Sequence, residues 1–226
     1  MTTNTQKKIG LVVEGGGMKC AYNAGILDAF LDEGITFDYC IGVSGGSGNL
    51  ASYLAGQRGR NLRFFTEHIH SQNYFGLRSL LKTGDLFGLK YIYGELTRKE
   101  GEDPLDFPAL MNNPAEYEIV VTNALTGLPE YYGREMMAQD DYRLIMASSA
   151  IPVACHPVEL NGVPTLTEAL PMPSRFAAPW SRGVISWWSF SPRTGTMYES
   201  LRVCAGCIGG PAAVTPTLWM LLIVAM

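Results

Sequence analysis

The sequence has few charged residues and no excess of basic ones. Lysine and arginine together number 17 against 21 acids, which gives a formal net charge of −4. Because proteins that bind nucleic acid through its phosphates carry clustered positive charge, we expect no nucleic-acid partner. Apolar residues make up 47% of the 226-residue chain, and this proportion predicts a folded domain with a sizeable core.

The sequence also lacks a long apolar run. The first ten residues, MTTNTQKKIG, do not have the pattern of a signal peptide. Residues 218–226 are apolar, but a helix that spans a membrane needs about 20 such residues. The five cysteines are irregularly spaced and odd in number, which excludes a disulfide framework. We therefore expect a soluble, cytoplasmic protein with reduced thiols.

The end of the chain lacks five residue types. The last 62 residues contain no Asp, Lys, Asn, Gln or His, whereas the first 164 contain thirty of them. At that rate about eleven would be expected under ordinary usage. All four tryptophans lie in this tail, and its apolar spacing favours neither helix nor strand. The composition therefore divides the chain near Thr165.

Before this division, apolar runs typical of strands alternate with segments of helical periodicity. The predicted strands cover 8–13, 39–43 and 118–123, the predicted helices cover 21–33, 45–55 and 140–147, and Asn161-Gly162 predicts a hairpin over 158–163. This alternation predicts an α/β three-layer sandwich with a mainly parallel sheet covered on both faces. Residues 56–116 are less regular, but their many apolar residues between 74 and 89 predict a surface that packs on or covers a site.

Two glycine-rich turns carry the chemistry. The sequence Gly42-Val43-Ser44-Gly45-Gly46 is a G-x-S-x-G motif between a predicted strand and helix, where small residues permit a tight turn that exposes the serine hydroxyl. The second turn, Gly15-Gly16-Gly17-Met18-Lys19, brings backbone N–H groups together to bind an anion. A phosphate cradle is the rival interpretation, but Cys20 replaces the last glycine of the dinucleotide motif and the P-loop G-K-[ST] is absent. We therefore favour an oxyanion hole.

Together these turns resemble the patatin-like phospholipases. The resemblance covers about 8–164 and rests on G-G-G-x-K at 15–19, G-x-S-x-G at 42–46 and the segment Ala147-Ser148-Ser149-Ala150-Ile151-Pro152. It implies a serine lipid acyl hydrolase with a Ser–Asp dyad, without metal or cofactor, acting on a lipid or ester with transient contact to a membrane surface. Ser44 would be the nucleophile, Gly15, Gly16 and Gly17 would form the oxyanion hole, and Lys19, Gly42 and Gly46 would be motif positions. Cys20 departs from the glycine that is usual in this family.

The aspartate of that dyad is missing. The resemblance places it in a D-G-[GA] motif shortly after the hairpin, yet the chain has no Asp beyond Asp141. A serine needs a base to become a nucleophile. Glu168 is one substitute carboxylate, although no glycines follow it, and His156 is the other candidate base. A catalytically dead, lipid-binding protein is the remaining alternative.

A shift of the reading frame near the Pro164 codon would explain both the missing Asp and the unusual tail. If one base was lost or two gained, each original codon combines the third base of one present codon with the first two of the next. Met172-Pro173 must then encode Ala and Trp187-Trp188 must encode Val, while the codons from Thr165 permit Thr-Asp-Gly-Gly. The sequence therefore predicts an incomplete hydrolase domain over 8–164 and an out-of-frame tail over 165–226 without a native-like fold.

Overall fold

A computed structural model describes residues 8–167, together with two strands at 184–191 and 196–201. The strands are β1 (Lys8–Val13), β2 (Tyr39–Val43), β3 (Glu116–Asn123), β4 (Pro129–Gly133), β5 (Val158–Leu160), β6 (Val163–Leu166), β7 (Val184–Ser191) and β8 (Thr196–Leu201). The α-helices are α1 (Cys20–Asp32), α2 (Gly45–Leu54), α3 (Arg60–Thr66), α4 (Leu77–Thr83), α5 (Leu89–Tyr91), α6 (Phe107–Asn112) and α7 (Arg143–Ser149). Short 3₁₀ turns lie at Gly17–Lys19, His68–His70 and Arg134–Met136, and a π-helical turn lies at Ile92–Leu96.

The described strands form one open sheet with the order β5-β6-β3-β2-β1-β7-β8, and β4 also pairs with β3. The central strands β3, β2, β1 and β7 are parallel, while the outer pairings are antiparallel. The predicted α/β class with a mainly parallel sheet is confirmed. Since β1 and β2 are parallel neighbours, with Val13 opposite Gly42, the two glycine-rich turns that follow them meet at the same edge of the sheet.

The core is divided by the sheet. On one face, Leu11, Val13 and Ile119 pack with Leu27 of α1 and Leu50 of α2 in the larger buried cluster. This cluster also holds residues of α6 and α7. On the other face, Val12, Ile41 and Val120 belong to a separate buried cluster, which contains no residue of a described helix. Within the described part of the chain, a helical layer on the second face therefore stays a prediction.

The predicted helix over 140–147 begins later than expected. The structure has α7 at Arg143–Ser149, because Asp140 has a positive φ of 66°, a conformation that cannot continue into a right-handed helix. Its carboxylate accepts hydrogen bonds from the Lys99 amide at 2.7 Å and from the Gln139 side chain at 2.9 Å. These contacts stabilise a turn before the helix. Asp140 therefore belongs to this turn rather than to the first turn of α7.

The hairpin prediction is confirmed. Strands β5 and β6 are antiparallel, and both residues of the turn, Asn161 and Gly162, have positive φ, at 50° and 79°. Two positive φ values in sequence are the property of a type I′ turn, which Asn-Gly favours. Thr165 closes the pair by donating its hydroxyl to the Val158 carbonyl at 2.6 Å. This hairpin carries the chain to Leu166, where the resemblance predicts the missing carboxylate.

Part of the proposed out-of-frame tail contributes to the described sheet. Strand β7 runs parallel to β1 and pairs with it along the whole of that strand, and β8 is antiparallel to β7. The predicted lack of a native-like fold over 165–226 remains a prediction, since most of this range, Glu168 included, lies outside the described residues.

Neither a membrane span nor a metal cluster is found in the described residues. No helix in this part of the chain has the length and apolarity needed to cross a membrane. The same residues contain no cluster of three side chains of the kinds that bind metals.

Candidate active site

Ser44 occupies a strained backbone conformation between β2 and α2. Its φ of 54° and ψ of −133° are values that residues other than glycine rarely adopt. Ser44 is half-buried and immediately precedes the first residue of α2. Its hydroxyl donates no hydrogen bond to another described residue. The hydroxyl therefore lies at the positive end of the helix dipole, where developing negative charge is stabilised.

The glycines on either side of Ser44 are required by close backbone packing. A Cβ atom on Gly42 would lie 2.6 Å from Ser47 Cα. A Cβ atom on Gly46 would lie 2.3 Å from the Val13 carbonyl oxygen and 2.7 Å from that of Glu14. Both distances are far below van der Waals contact. The G-x-S-x-G pattern thus reflects the tight approach of α2 to the end of β1.

The second glycine-rich turn lies directly against Ser44. A Cβ atom on Gly15 would be 2.4 Å from Ser44 Cβ and 3.2 Å from its Oγ. Gly17 has a φ of 56°, opens the 3₁₀ turn that leads into α1, and lines the same cavity as Ser44. The Lys19 amide closes this turn by donating a hydrogen bond to the Gly16 carbonyl at 3.1 Å. Lys19 itself is exposed. The structure therefore brings together the two motifs that the sequence singled out.

Cys20 lies buried between the two turns. A Cβ atom on Gly45 would meet its Sγ at 3.0 Å, and its thiol is 3.9 Å from the Glu14 carbonyl. Burial raises the pKa of the Cys20 thiol to about 12, although the Gly16 backbone amide lowers it in part. A neutral thiol is a poor nucleophile, so Cys20 acts as a packing residue here. Asn49 of α2 reinforces this contact by donating to the Cys20 carbonyl at 2.9 Å.

Ser148 supports the strained serine from the third motif. The backbone amide of Ser44 donates to Ser148 Oγ at 2.8 Å, and this hydroxyl donates in turn to the Val120 carbonyl at 2.7 Å. Ser148 thereby connects the end of α7 to β3 and to the Ser44 turn. The motif at 147–152 supports the family resemblance, but no local pattern in the sequence indicates this role of Ser148, because its partner lies 104 residues away.

Ser44 opens into a cavity of about 110 Å³ that has an apolar wall and a polar end. The wall consists largely of aromatic and aliphatic side chains: Phe64, Phe65, Tyr74, Phe87, Leu89, Ile92, Tyr93, Leu96 and Ile151. The polar end includes Asn49, Asn61, Arg60, Thr97 and Asp103. Such a cavity suits a substrate with an apolar chain next to its ester.

The charges at the polar end of the cavity compensate one another. The Arg60 side chain is 12% exposed, and its guanidinium donates to Ser52 Oγ at 2.8 Å and to Thr97 Oγ1 at 3.0 Å. The Asp103 carboxylate accepts from Arg63 at 2.7 Å and lies 3.4 Å from His68 Nε2. Desolvation by burial lowers the pKa of Arg60. These groups form a structural network, since each already has partners within the protein.

Among the described residues, no carboxylate or imidazole is hydrogen-bonded to the Ser44 hydroxyl. Asp103 is the one carboxylate among the described residues that line the cavity, and its ion pairs occupy it. His156 is not among the residues that line this cavity; its side chain is 70% exposed, and its Nδ1 lies 2.7 Å from Asp85 Oδ1. His68 is 8% exposed and also bound to Asp103. Glu168, the other candidate, lies outside the described residues.

The residues after β6 pack beside the end of α7. After β6, the Thr167 amide donates to the Ala150 carbonyl at 2.8 Å, which holds it beside the end of α7. The same α7 segment carries Ser148, which binds the Ser44 amide. Thr167, in the region where the resemblance places the D-G-[GA] motif, therefore lies beside the α7 segment that supports Ser44.

Comparison with known proteins identifies the class to which this fold and site belong. The family model described as patatin-like phospholipase matches residues 11–170, most of the chain. The protein therefore belongs to the patatin-like phospholipase family, and the resemblance seen in the three motifs is confirmed. The match ends shortly after Pro164, close to the change in composition.

Individual relatives are distant and longer than this chain. The chain is 27% identical over 147 residues to the uncharacterized protein YjjU of Escherichia coli K12, a match that covers 64% of this chain and 40% of that protein. The crystal structure of VipD from Legionella pneumophila aligns with a TM-score of 0.48 at 14% identity, covering 74% of this chain and 47% of that one. The chain thus spans less than half the length of these relatives.

Proposed function

We propose that this chain is a serine lipid acyl hydrolase of the patatin type that lacks the base of its Ser–Asp dyad. The proposal rests on one observation above all: the strained Ser44 packs directly against Gly15. Strain at a non-glycine residue is found mainly at functional sites. The family supports a hydrolase acting on lipids, and the apolar cavity beside Ser44 supports an acyl ester as the substrate.

In the complete reaction, Ser44 Oγ attacks the ester carbonyl and loses its proton to the base. The carbonyl oxygen becomes an oxyanion, which the backbone N–H groups of the Gly15–Gly17 turn and the N-terminus of α2 stabilise. Collapse of this intermediate expels the alcohol, which takes the proton from the base and leaves an acyl group on Ser44. Water then attacks the acyl-enzyme in the same way and releases the carboxylic acid.

Without its base, the reaction is slow. Removal of one member of a nucleophile–base pair commonly reduces the rate by about 10⁴-fold or more, while the remaining oxyanion donors retain a small residual rate. Loss of esterase activity in this chain follows from the absence of a free carboxylate or imidazole at Ser44 among the described residues. No metal or cofactor is part of the proposal, and the proposed location is cytoplasmic.

The reading-frame hypothesis explains why the base is absent and is tested on the gene. We propose a hydrolase domain over 8–164 followed by an out-of-frame tail, a division supported by the composition change and by the end of the family match. Sequencing the DNA across the codons for 161–168 should show a shifted frame that opens with Asp-Gly-Gly and continues well past Met226. A stop codon soon after Pro164 in the shifted frame would contradict the hypothesis.

A fluorophosphonate probe tests the site in the protein. We expect slow labelling of this chain, none in Ser44→Ala, and unchanged labelling in His156→Ala, which separates the dyad from a Ser–His pair. The product of the shifted frame should label much faster and hydrolyse p-nitrophenyl butyrate. Rapid hydrolysis by this chain through Ser44, or its loss in His156→Ala, would refute the proposal.

A non-catalytic lipid-binding protein is the second candidate. It is favoured by the combination of an apolar cavity with a nucleophile that no described base contacts. If it is correct, the shifted frame encodes no active hydrolase, and this chain binds a fluorescent fatty acid equally well with Ser44 or Ala at position 44.

A further inference from the structure

The surface around the mouth of the cavity is unusually apolar. Single exposed apolar side chains are common in soluble proteins, but clusters of them mark interaction sites. Five exposed apolar residues, which we call the apolar rim, occur in two neighbouring segments: Phe75, Leu77, Leu80, Leu81 and Val153. Leu77 and Leu81 of α4 are 71% and 80% exposed, and Val153 is fully exposed.

The apolar rim is continuous with the wall of the Ser44 cavity. The ring of Phe64, which lines the cavity, lies 5.3 Å from that of Tyr74, and Tyr74 lies 6.2 Å from Phe87. Phe87 also lines the cavity, and its ring lies 4.9 Å from that of Phe75 in the rim. A series of ring contacts therefore connects the wall of the Ser44 cavity to the exposed Phe75.

The turn that carries Val153 is held beside the α4 segment by hydrogen bonds of its neighbouring residues. The Val153 φ of 72° is an unfavourable conformation for a β-branched residue, so the surrounding structure must impose it. The Leu86 amide donates to the Ala154 carbonyl at 2.8 Å, and Asp85 accepts from the His156 amide at 2.6 Å. These bonds fix the 151–156 turn beside the segment that carries Phe75 and α4.

Basic side chains lie beside the apolar rim. Within residues 72–85, which carry most of the rim, Arg78 and Lys82 are basic and Asp85 is the single acid. Arg78 and Lys82 of α4 are exposed and, because they are four residues apart, lie on the same side of the helix, next to its leucines. The single acid, Asp85, is buried and paired with His156. An apolar surface flanked by basic side chains complements an anionic lipid surface.

We infer that the apolar rim, with Arg78 and Lys82, docks this protein on an anionic lipid membrane and places the cavity mouth against the lipid. The inference rests on the proposed function, since it supplies the route by which a lipid ester would reach Ser44. The cavity size agrees with this role: about 110 Å³ accommodates part of an acyl chain, so most of a lipid molecule remains outside. The apolar rim covers that remaining part at the membrane surface.

Binding to lipid vesicles tests how much the apolar rim contributes to membrane docking. The purified 226-residue chain is sedimented with vesicles of phosphatidylcholine and phosphatidylglycerol, and the bound fraction is measured for Leu77→Asp/Leu81→Asp. We expect binding to fall by roughly tenfold or more, since two leucines no longer enter the apolar layer. The matched control is Leu125→Asp/Leu128→Asp, which alters two leucines of the β3–β4 turn that are 75% and 63% exposed. The control should bind as the unmodified chain does.

The charge contribution is tested separately. Arg78→Glu/Lys82→Glu should reduce binding to the anionic vesicles by roughly tenfold or more. The control Arg98→Glu/Lys99→Glu changes the same charge at another exposed site and should have little effect. Vesicles of phosphatidylcholine alone should bind the unmodified chain weakly.

Three results would overturn the inference: no binding to anionic vesicles, equal loss in the rim variants and their controls, or equal binding to neutral vesicles. Ser44→Ala is expected to bind vesicles like the unmodified chain. Because fluorophosphonate labelling of Ser44 in free solution does not depend on vesicles, failure of the proposed hydrolase chemistry and failure of membrane docking are distinguishable.

Discussion

Replacement of Gly46 by alanine sets two physical effects against each other. Gly46 is the second residue of α2, and alanine in place of a helical glycine stabilises a helix by up to about 1 kcal/mol. Against this, the new Cβ would lie 2.3 Å and 2.7 Å from two backbone carbonyl oxygens, those of Val13 and Glu14. Backbone atoms at the end of a central strand cannot move away as a flexible side chain can.

The steric overlap of the new Cβ should outweigh the gain in helix propensity. Forcing an additional methyl group into a packed interior costs about 1–3 kcal/mol, and more where the neighbour is backbone. We therefore expect Gly46→Ala to lower the free energy of unfolding by roughly 1–2 kcal/mol after the gain in helix propensity is included. For a chain of this size, that loss corresponds to a decrease in Tm of roughly 2–8 °C.

A matched control is available in the neighbouring helix. Gly25 lies within α1, and a Cβ atom placed on it would meet no atom within 4 Å. Gly25→Ala should therefore show the propensity effect alone and raise stability by up to about 1 kcal/mol. Urea unfolding followed by circular dichroism measures both variants. If Gly46→Ala proves as stable as Gly25→Ala, the close approach of α2 to β1 is wrong and the packing argument for the Ser44 turn fails.

Three further predictions concern the site and its support. Ser44→Gly should raise the free energy of unfolding by roughly 1 kcal/mol in urea titrations, because relief of backbone strain exceeds the extra entropy of a glycine; a destabilised variant would contradict the strain. Ser148→Ala should lower the free energy of unfolding by about 1–3 kcal/mol in the same assay, since the Ser44 amide loses its partner. An unchanged free energy would show that Ser148 does not stabilise the Ser44 turn. Glu130 accepts a hydrogen bond from Tyr132 that holds the pKa of its carboxyl below the usual range. Its contribution to stability is therefore present above the unfolded pKa of about 4.3 and is lost as the pH falls through the lower folded value. The stability difference between wild type and Glu130→Gln should shrink over that range, and a difference independent of pH would exclude the effect.

The parts of the fold that sequence patterns predicted are those determined by local signals. Strand β1 coincides with the predicted 8–13, and the Asn161-Gly162 turn forms the predicted hairpin, because both depend on neighbouring residues. The meeting of Ser44 and Gly15 followed from the same patterns, since parallel neighbouring strands place their following turns side by side.

The missed features depend on contacts between distant parts of the chain. Helices α3 to α6 have three to seven residues, too few for a clear helical period. Arg60 at the start of α3 donates to the Asp103 carbonyl, 43 residues away in the sequence. The support of Ser44 by Ser148 likewise spans 104 residues and has no local pattern. The late start of α7 follows from the positive φ of Asp140, which binds the Lys99 amide 41 residues away.

The strain at Ser44 bears on the proposal that this chain has lost its base. A non-glycine residue in this conformation costs about 1–3 kcal/mol, which a working hydrolase retains because it exposes the nucleophile. Once the base is gone, that cost has no compensating benefit, and a single substitution to glycine would relieve it. Ser44 is nevertheless present, with its Ser148 support and the glycines that permit the turn. A site kept intact beside a missing base agrees with one abrupt change downstream, such as a shift of frame, better than with gradual decay of the whole site.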